Sequence, residues 1–229
     1  MATAPAPTRP LPNQSELSAL LHHLYASVTD PRELNRFLSQ CSERIGAVSA
    51  ALAICEIETG RWRYLEFHPG PVDLARVYET HYSEDDPVKA ALLRLPSRRF
   101  YFSHELCDEH MQRTHPYWVE WFATLDYSDV CAARIPLGAN YSCHIGFVRQ
   151  SAAERFGRPE LNFLDLLLPH LEQALQMHSR MDRLKVMADL AQEHLAQTGA
   201  GCVVLNGDGR VIFRNRIAQE LLRDGSVIN

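Results

Sequence analysis

The sequence VSAALAICEIETGRWRYLEF, residues 48–67, alternates apolar and small or polar side chains, whereas the preceding chain has apolar residues at helical spacing. Residues 48–57 therefore predict a strand, Thr59-Gly60 a turn and residues 62–67 the strand that pairs with it. Because alternation puts every second side chain on one face, this hairpin is expected to cover a core on at least one side.

Helices are predicted upstream of the hairpin and two more strands downstream of it. A first helix begins near Asn13 or Ser15, and a second begins near Thr29 or Asp30 and ends at Gly46. Residues 129–137 and 141–149 predict strands around a turn at 138–140, while residues 96–128 are predicted to be irregular with a short helix across 116–125. The order predicts an α+β fold, an antiparallel sheet flanked by helices.

A long helix is predicted from Glu160 to about Gln197, because apolar residues recur there every three or four positions. The pattern resembles a coiled-coil seam with one three-residue skip, so the helix is predicted to form a homodimer. Pro169 is expected to kink it. The alternative is a helix that packs on its own domain, and both remain open. The residues predicted for dimerisation are Leu164, Leu168, Leu171, Leu175, Met181 and Leu184.

The last part of the chain predicts the start of a second domain. Residues 202–205 and 210–214 alternate around Asn206-Gly207-Asp208-Gly209, a strong hairpin signal, and a helix is predicted over 215–222. Two strands and a helix are too few to close a core. The predicted organisation is a disordered tail over 1–13, a first domain over 14–158, a long linking helix over 159–198 and an incomplete domain over 199–229.

Composition excludes several classes of protein. The chain has 229 residues, a formal net charge of −5 and 46% hydrophobic residues, so it is neither disordered nor a strongly basic nucleic-acid-binding domain. It has no signal peptide and no apolar run of membrane-spanning length, which predicts a cytoplasmic protein without membrane contact. No catalytic motif is present, so the chain is predicted not to be an enzyme.

Metal and cysteine chemistry are also disfavoured. The six cysteines form no close pair, and disulfides are not expected. Cys107, His110 and His115 lie within nine residues, but no second close pair completes a zinc site. Arg94, Arg98 and Arg99 cluster, which is more typical of a solvated face than of a binding patch. No cofactor and no metal are predicted.

The run LLPHLEQAL, residues 167–175, resembles the end of the sensory domain in LuxR-type bacterial transcriptional regulators. The order of elements resembles a GAF-type sensory domain, and VVLNGDGRVI, residues 203–212, resembles the opening of the PAS-like segment in that family. The resemblance implies ligand sensing and dimerisation. It implies DNA binding only through a helix-turn-helix domain, which is not predicted within residues 1–229.

A weaker resemblance concerns Asp86-Pro87-Val88, which is similar to a stretch in the acyl-homoserine-lactone-binding domains of LuxR-type quorum sensors. The resemblance implies that Asp86 accepts a hydrogen bond from a ligand amide and that an aromatic residue follows at about the position of Tyr101. An Asp-Pro pair is also a common start of a helix, because Asp caps the first turn and Pro fits it. Both interpretations of Asp86 remain open.

Aromatic residues concentrate in residues 100–127, which predicts an aromatic pocket for a small molecule. The alternative is that these rings only fill the core. The candidate ligand-binding residues are Tyr82, Asp86, Phe100, Tyr101, Trp118, Trp121 and Tyr127. The resulting hypothesis is the ligand-sensing and dimerising region of a LuxR-type regulator. The alternative is a protein-interaction or dominant-negative dimerisation module without a small-molecule ligand.

Overall fold

The structure is a computed structural model that describes residues 12–68, 72–197 and 199–223. The predicted tail lies mostly outside these residues, as does the end of the predicted second domain. The chain divides into two compact units, one up to Gln176 and one from Met177 onward. We call them the first and the second unit.

The first unit is built on a five-stranded antiparallel sheet, with strand order β2-β1-β5-β4-β3. Its elements are α1 (Gln14–Ala26), α2 (Arg32–Ile45), β1 (Ser49–Glu56), β2 (Trp62–His68), α3 (Val72–His81), α4 (Pro87–Arg94), β3 (Phe100–Phe102), α5 (Ser103–Leu106), α6 (Glu109–Thr114), a π-helix (Tyr117–Phe122), β4 (Tyr127–Pro136), β5 (Tyr141–Gln150) and the first part of α7 (Arg158–Gln197). The predicted α+β class, with helices flanking an antiparallel sheet, is confirmed.

One face of the sheet carries the main core of the first unit. Leu52 of β1, Ile135 of β4 and Phe147 of β5 are almost fully buried there, in one cluster with residues of α1, α2 and α7. Full burial of a large apolar side chain contributes about 1.5–3 kcal/mol. This face therefore holds the larger of the two clusters of buried apolar side chains in the unit.

Local signals in the sequence set the ends of the first two helices. Asn13 accepts a hydrogen bond from the Glu16 backbone N–H, and Glu16 reaches back to the Asn13 N–H, which forms a capping box. Gly46 ends α2 in the left-handed conformation, at φ 66°. The second helix begins at Arg32, slightly later than predicted, with Pro31 at the N-cap position. These positions orient α1 and α2 against the same face of the sheet.

The prediction for residues 96–128 is confirmed only in part: the short helix expected across 116–125 is present as a π-helix, but the rest of the segment is not irregular. The segment contains β3, α5, α6 and the π-helix. The strand β3 is only three residues long and pairs with Cys131–Ala133 of β4. Its extended conformation is therefore stabilised by a partner distant in sequence and is not indicated by an alternating pattern of apolar residues. Proline at 116 precedes the π-helix, whose Tyr117, Trp118, Trp121 and Phe122 are all buried. Except for Phe100 and Phe102, which join the main core, the buried apolar side chains of the segment pack on the other face of the sheet.

The long helix α7 is observed over residues 158–197 and continues through Pro169. Of the residues predicted for dimerisation, Leu164, Leu168, Leu171 and Leu175 are buried in the core of the first unit. Met181 and Leu184 belong to the second unit and are exposed there. The upstream half of the helix therefore packs on its own domain, which was the alternative for that half.

The second unit contains the rest of α7, the hairpin β6 (Val203–Leu205) and β7 (Val211–Arg214), and α8 (Arg216–Arg223). Gly209 adopts φ 77° in the hairpin turn, where Asn206 accepts hydrogen bonds from two backbone N–H groups. The Asn215 side chain ties the hairpin to α8, because it accepts from Cys202 and Ala218 and donates to Ala200. The predicted hairpin and helix are confirmed.

Candidate ligand-binding site

The face of the sheet opposite the main core encloses a cavity of about 120 Å³. The cavity lies between the sheet and a cover formed by α3, α4 and the π-helix. It is partly open, and nearly all of its lining is apolar. Residues that line it include Ala51, Ala53, Trp62, Tyr78, Asp86, Val88, Lys89, Leu92, Tyr117, Trp121, Phe122, Tyr127, Val130, Ala132, His144, Gly146 and Val148.

Small side chains on the sheet leave the space for the cavity. Ala51 and Ala53 of β1, Ala132 of β4 and Gly146 of β5 line it. A Cβ added at Gly146 would come within 3.8 Å of the Ala132 Cβ, an ordinary contact, so no steric clash requires glycine there. These small residues form the floor of the cavity, and they leave space above the sheet for a bound molecule.

Aromatic rings form the wall above this floor. Tyr78 and Tyr82 contact the Trp121 ring at centroid distances of 6.1 and 5.1 Å, and the Phe122 ring contacts Tyr127 at 5.7 Å. The π-helix places Tyr117, Trp121 and Phe122 on the cavity side. Short π-helical segments are rare and are frequently found at functional sites.

Asp86 is buried at the edge of the cavity and caps α4. Its Oδ1 accepts hydrogen bonds from the backbone N–H groups of Val88 and Lys89, at 2.8 and 3.2 Å. The Tyr78 hydroxyl donates to Oδ2. Burial raises the pKa of this carboxyl, while these three donors oppose the increase. Asp86 is therefore a structural cap that also lines the cavity.

A second group of polar side chains lies at the end of the cavity formed by β2, β1 and β5. Trp62 of β2 contacts the His144 ring of β5 at a centroid distance of 4.9 Å, and the Lys89 Nζ lies 4.5 Å from the Trp62 ring centroid. Buried Trp62 Nε1 and His144 Nδ1 have no hydrogen-bond partner within the described part of the chain. Both residues line the cavity.

His144 is held in its neutral form. Burial lowers the pKa of its imidazole to about 3, and the positive charges of Arg134 and Lys89 act in the same direction. Its Nε2 lies 3.0 Å from the Ser142 hydroxyl. When that hydroxyl donates to Nε2, Nδ1 carries the proton and is a hydrogen-bond donor.

The structure brings together only some of the predicted site residues. Asp86, Trp121 and Tyr127 line the cavity, and Tyr82 packs against Trp121. Tyr101 and Trp118 are buried in the same cluster without lining the cavity, and the Tyr101 hydroxyl donates to the Pro96 carbonyl. Phe100 belongs to the main core on the opposite face of the sheet.

Sequence reasoning missed Trp62, Lys89 and His144. Strand alternation contained the signal for His144, because it shares parity with Gly146 and Val148 on β5. Lys89 follows the Asp86 cap by three residues, within the first turn of α4, and Trp62 begins β2. The sequence does not show that Trp62, Lys89 and His144 lie close together in the fold.

The structure offers little support for a reactive cysteine, a metal site or a basic binding patch. Burial raises the pKa of the Cys107 thiol to about 11, which disfavours a reactive thiolate. No cluster of three metal-ligating side chains occurs among the described residues. Arg98 pairs with Glu172 and Arg99 with Glu105, so two of the three clustered arginines already have acidic partners. No helix in the described ranges is long and apolar enough to cross a membrane.

Comparison with known proteins identifies the fold. No protein-family model and no curated protein matches the sequence. Among solved structures, the VqsR LBD domain from Pseudomonas aeruginosa is similar, with TM-score 0.55 and 18% identity over 72% of this chain and 95% of that one. The N-acylhomoserine lactone dependent LuxR family transcription factor CepR2 from Burkholderia cenocepacia has TM-score 0.51 and 13% identity, over 71% and 93%.

A GAF domain is similar to the same extent. The phycoerythrobilin-bound GAF domain of a cyanobacterial phytochrome has TM-score 0.53 and 12% identity, over 76% of this chain and 100% of that one. Because all the sequence identities are low, these similarities show which fold the chain has and do not show which ligand it binds. The chain has the GAF-like α+β fold that is also found in ligand-binding domains of LuxR-type regulators.

Proposed function

We propose that this chain is the ligand-sensing region of a LuxR-type transcriptional regulator and that it binds a small organic molecule in the cavity. The observation that carries the proposal is the cavity itself, which has a floor of small residues, an aromatic wall and buried polar atoms without partners. Apolar pockets with a few converging polar groups are the usual form of a small-molecule site. The similarity to an LBD domain and to a lactone-dependent factor supports the same class of function.

Native mass spectrometry of the purified chain tests ligand binding and gives the mass of any ligand that co-purifies. We expect a bound mass that is lost under harsh ionisation. The matched variants are Ala53→Leu, which fills the floor of the cavity, and Ala153→Leu, which makes the same change at an exposed turn. The bound mass should disappear only in Ala53→Leu. A bound mass that persists in Ala53→Leu would contradict the assignment of the cavity.

We further propose that the downstream half of α7 forms the dimer. Leu184, Met187 and Leu190 are more than half exposed in the second unit, at 62%, 67% and 60%. From Met181 onward, Leu184, Ala188, Ala191 and Leu195 follow at the alternating three- and four-residue spacing of a coiled-coil seam. Large apolar side chains in such a row are typical of a helix that pairs with a second copy.

Sedimentation velocity tests the dimer. Leu184→Glu places a charge in the proposed seam, whereas Val186→Glu places the same charge at an exposed position outside it. We expect the wild type and Val186→Glu to be dimers and Leu184→Glu to shift toward monomer. A monomeric wild type, or equal effects of the two variants, would contradict the proposal.

The rest of the proposed function concerns signalling. Ligand binding can shift a helix pair between two arrangements only by its different affinity for them. DNA contact through a helix-turn-helix domain and a cytoplasmic location remain predictions, as does the PAS-like nature of the second unit. The alternative, a pure interaction module, is favoured by the exposed apolar row of α7. A dimer that carries no ligand and binds none would support that alternative.

A further inference from the structure

We propose that the ligand is a small aromatic carboxylate, whose carboxylate is held by Trp62, His144 and Lys89 while its ring lies between the alanine and glycine floor and the aromatic wall. This inference rests on the proposed function, because it specifies the ligand class of the same cavity.

The first argument is the number of hydrogen-bond donors without acceptors. Trp62 Nε1–H is a donor only, and its nitrogen is buried without a partner in the described part of the chain. The Lys89 ammonium has three N–H groups and donates two of them, to the carbonyls of Gly60 and Ser83, each at 3.3 Å. His144 Nδ1 supplies a further donor in the tautomer described above. Such a cluster fits a group that only accepts hydrogen bonds.

The second argument is charge. Lys89 and Arg134 are both partly buried, and neither forms an ion pair with any residue in the described ranges. Arg134 donates instead to the carbonyls of Leu92 and Leu95. An anion at this end would offset both charges, whereas a neutral carbonyl would satisfy the donors and leave the Lys89 charge offset only in part, by the nearby Asp86 carboxylate.

The position of Asp86 decides where in the cavity the anion lies. Both Asp86 oxygens already accept hydrogen bonds from Tyr78, Val88 and Lys89, so the carboxylate offers no donor to a ligand. A ligand carboxylate near it would be repelled. The anion is therefore placed at the end formed by Trp62 and His144, which contact each other across β1.

The size and walls of the cavity define the rest of the ligand. An apolar cavity of roughly 150 Å³ is known to hold benzene, and this partly open cavity is somewhat smaller, at about 120 Å³, so it has room for one ring at most. Tyr78, Trp121 and Phe122 line it on the helical side. Aromatic side chains favour edge or offset contacts with a further ring. A single six-membered ring bearing a carboxylate fits these features.

Isothermal titration calorimetry with benzoate and its neutral isostere benzamide tests the inference at pH 7. Lys89→Met removes the proposed charge, and the matched control is Lys185→Met, which changes the only other lysine of the sequence, at an exposed position of α7. We expect benzoate to bind the wild type and Lys185→Met at least about tenfold more tightly than benzamide does. Benzoate affinity should fall about tenfold in Lys89→Met, and benzamide affinity should stay the same.

Trp62→Phe provides a second test, because it keeps an aromatic ring and removes the Nε1 donor. We expect it to weaken benzoate binding, with circular dichroism confirming that each variant is folded. Benzamide binding as tight as benzoate, or benzoate binding unchanged in Lys89→Met, would overturn the carboxylate while supporting a cavity for neutral ligands. If neither probe binds the wild type at about 5 mM, the inference is overturned for ring-sized ligands. Native mass spectrometry of the purified chain then tests the proposed function independently, because it detects any ligand that co-purifies.

Discussion

The two faces of the central sheet use the same strands in opposite ways. On the core face, β5 contributes Ile145 and Phe147, which are buried against α1, α2 and α7. On the cavity face, the same strand contributes His144 and Gly146, which line an unfilled space. A side chain therefore packs in the core or lines the cavity according to its parity along the strand, since neighbours point to opposite faces.

This difference indicates how the fold can keep its stability while the residues that line the cavity change. The core face is filled with large apolar residues, and removing one creates a cavity that the surroundings cannot close. The cavity face has alanine and glycine at the corresponding positions, so its residues contribute less packing. Changes there are expected to alter ligand binding before they affect folding.

The largest expected effect is on the core face. Phe147→Ala should lower the free energy of unfolding by about 3–5 kcal/mol, because Phe147 is fully buried. The neighbouring change Val148→Ala, on the cavity face, should cost about 1–2 kcal/mol, since Val148 is only partly buried. Urea denaturation followed by circular dichroism measures both values. Equal losses at the two positions would remove the distinction between the faces.

At pH 7, Asp86 is expected to give a smaller effect than Phe147, and this effect is structural although Asp86 lines the cavity. Asp86→Ala removes the acceptor for two N–H groups of α4 and for the Tyr78 hydroxyl, and should cost about 1–2 kcal/mol. Asp86→Asn keeps an acceptor oxygen and removes a buried charge, so it should cost about half as much or less. Urea titration at pH 7 compares the two. A loss in Asp86→Asn as large as in Asp86→Ala would show that the charge itself is required.

His144 makes the stability of the cavity face sensitive to acid. The pKa of the folded chain's His144 is about 3, below the ordinary value of 6.5, so only the unfolded chain takes up this proton between these two pH values. The stabilisation is complete above pH 6.5 and decreases as the pH falls toward 3, by about 1.4 kcal/mol per pH unit.

The matched comparison is His144→Gln with His110→Gln, a change of an exposed histidine. Between pH 6.5 and pH 4.5, within the window set by the lowered pKa of His144, urea titrations should show a shallower pH dependence in His144→Gln only. An unchanged slope in that variant would mean that His144 is protonated in the folded chain.

The strands were predictable from sequence where alternation was strong. The hairpin β1–β2 and the pair β4–β5 follow directly from their patterns and turns, and Gly60 takes the positive φ that its turn requires. The strand β3 was not predictable, since its three residues are all buried and show no alternation. Its hydrogen bonds come from β4, which follows it by about thirty residues.

The candidate site was predictable in part, and the errors have physical reasons. Trp121 and Tyr127 were found through aromatic density, but density does not say which face a ring lies on. Phe100 and Tyr101 are neighbours in β3, so they point to opposite faces, and Phe100 joins the main core. The polar residues Trp62, Lys89 and His144 come from β2, α4 and β5 and meet only through the sheet order.

The dimer prediction shows another limit of periodicity. Leu164 and Leu171 repeat at the same spacing as Leu184 and Ala191, yet the first pair is buried in its own unit and the second is exposed. A helical apolar stripe indicates that a face is covered and cannot say whether the same chain covers it. The tertiary fold supplies that information for the upstream half of α7.

The most direct test of the central claim is a calorimetric titration of the wild type, Ala53→Leu and Ala153→Leu with the molecule recovered from the native complex, or with benzoate if none is recovered. If the cavity face is the ligand site, the wild type and Ala153→Leu bind with equal affinity. Ala53→Leu then stays folded and loses binding by about tenfold or more, because the added side chain occupies the ring's space. Equal binding by all three proteins would contradict the claim that ligands bind on this face of the sheet.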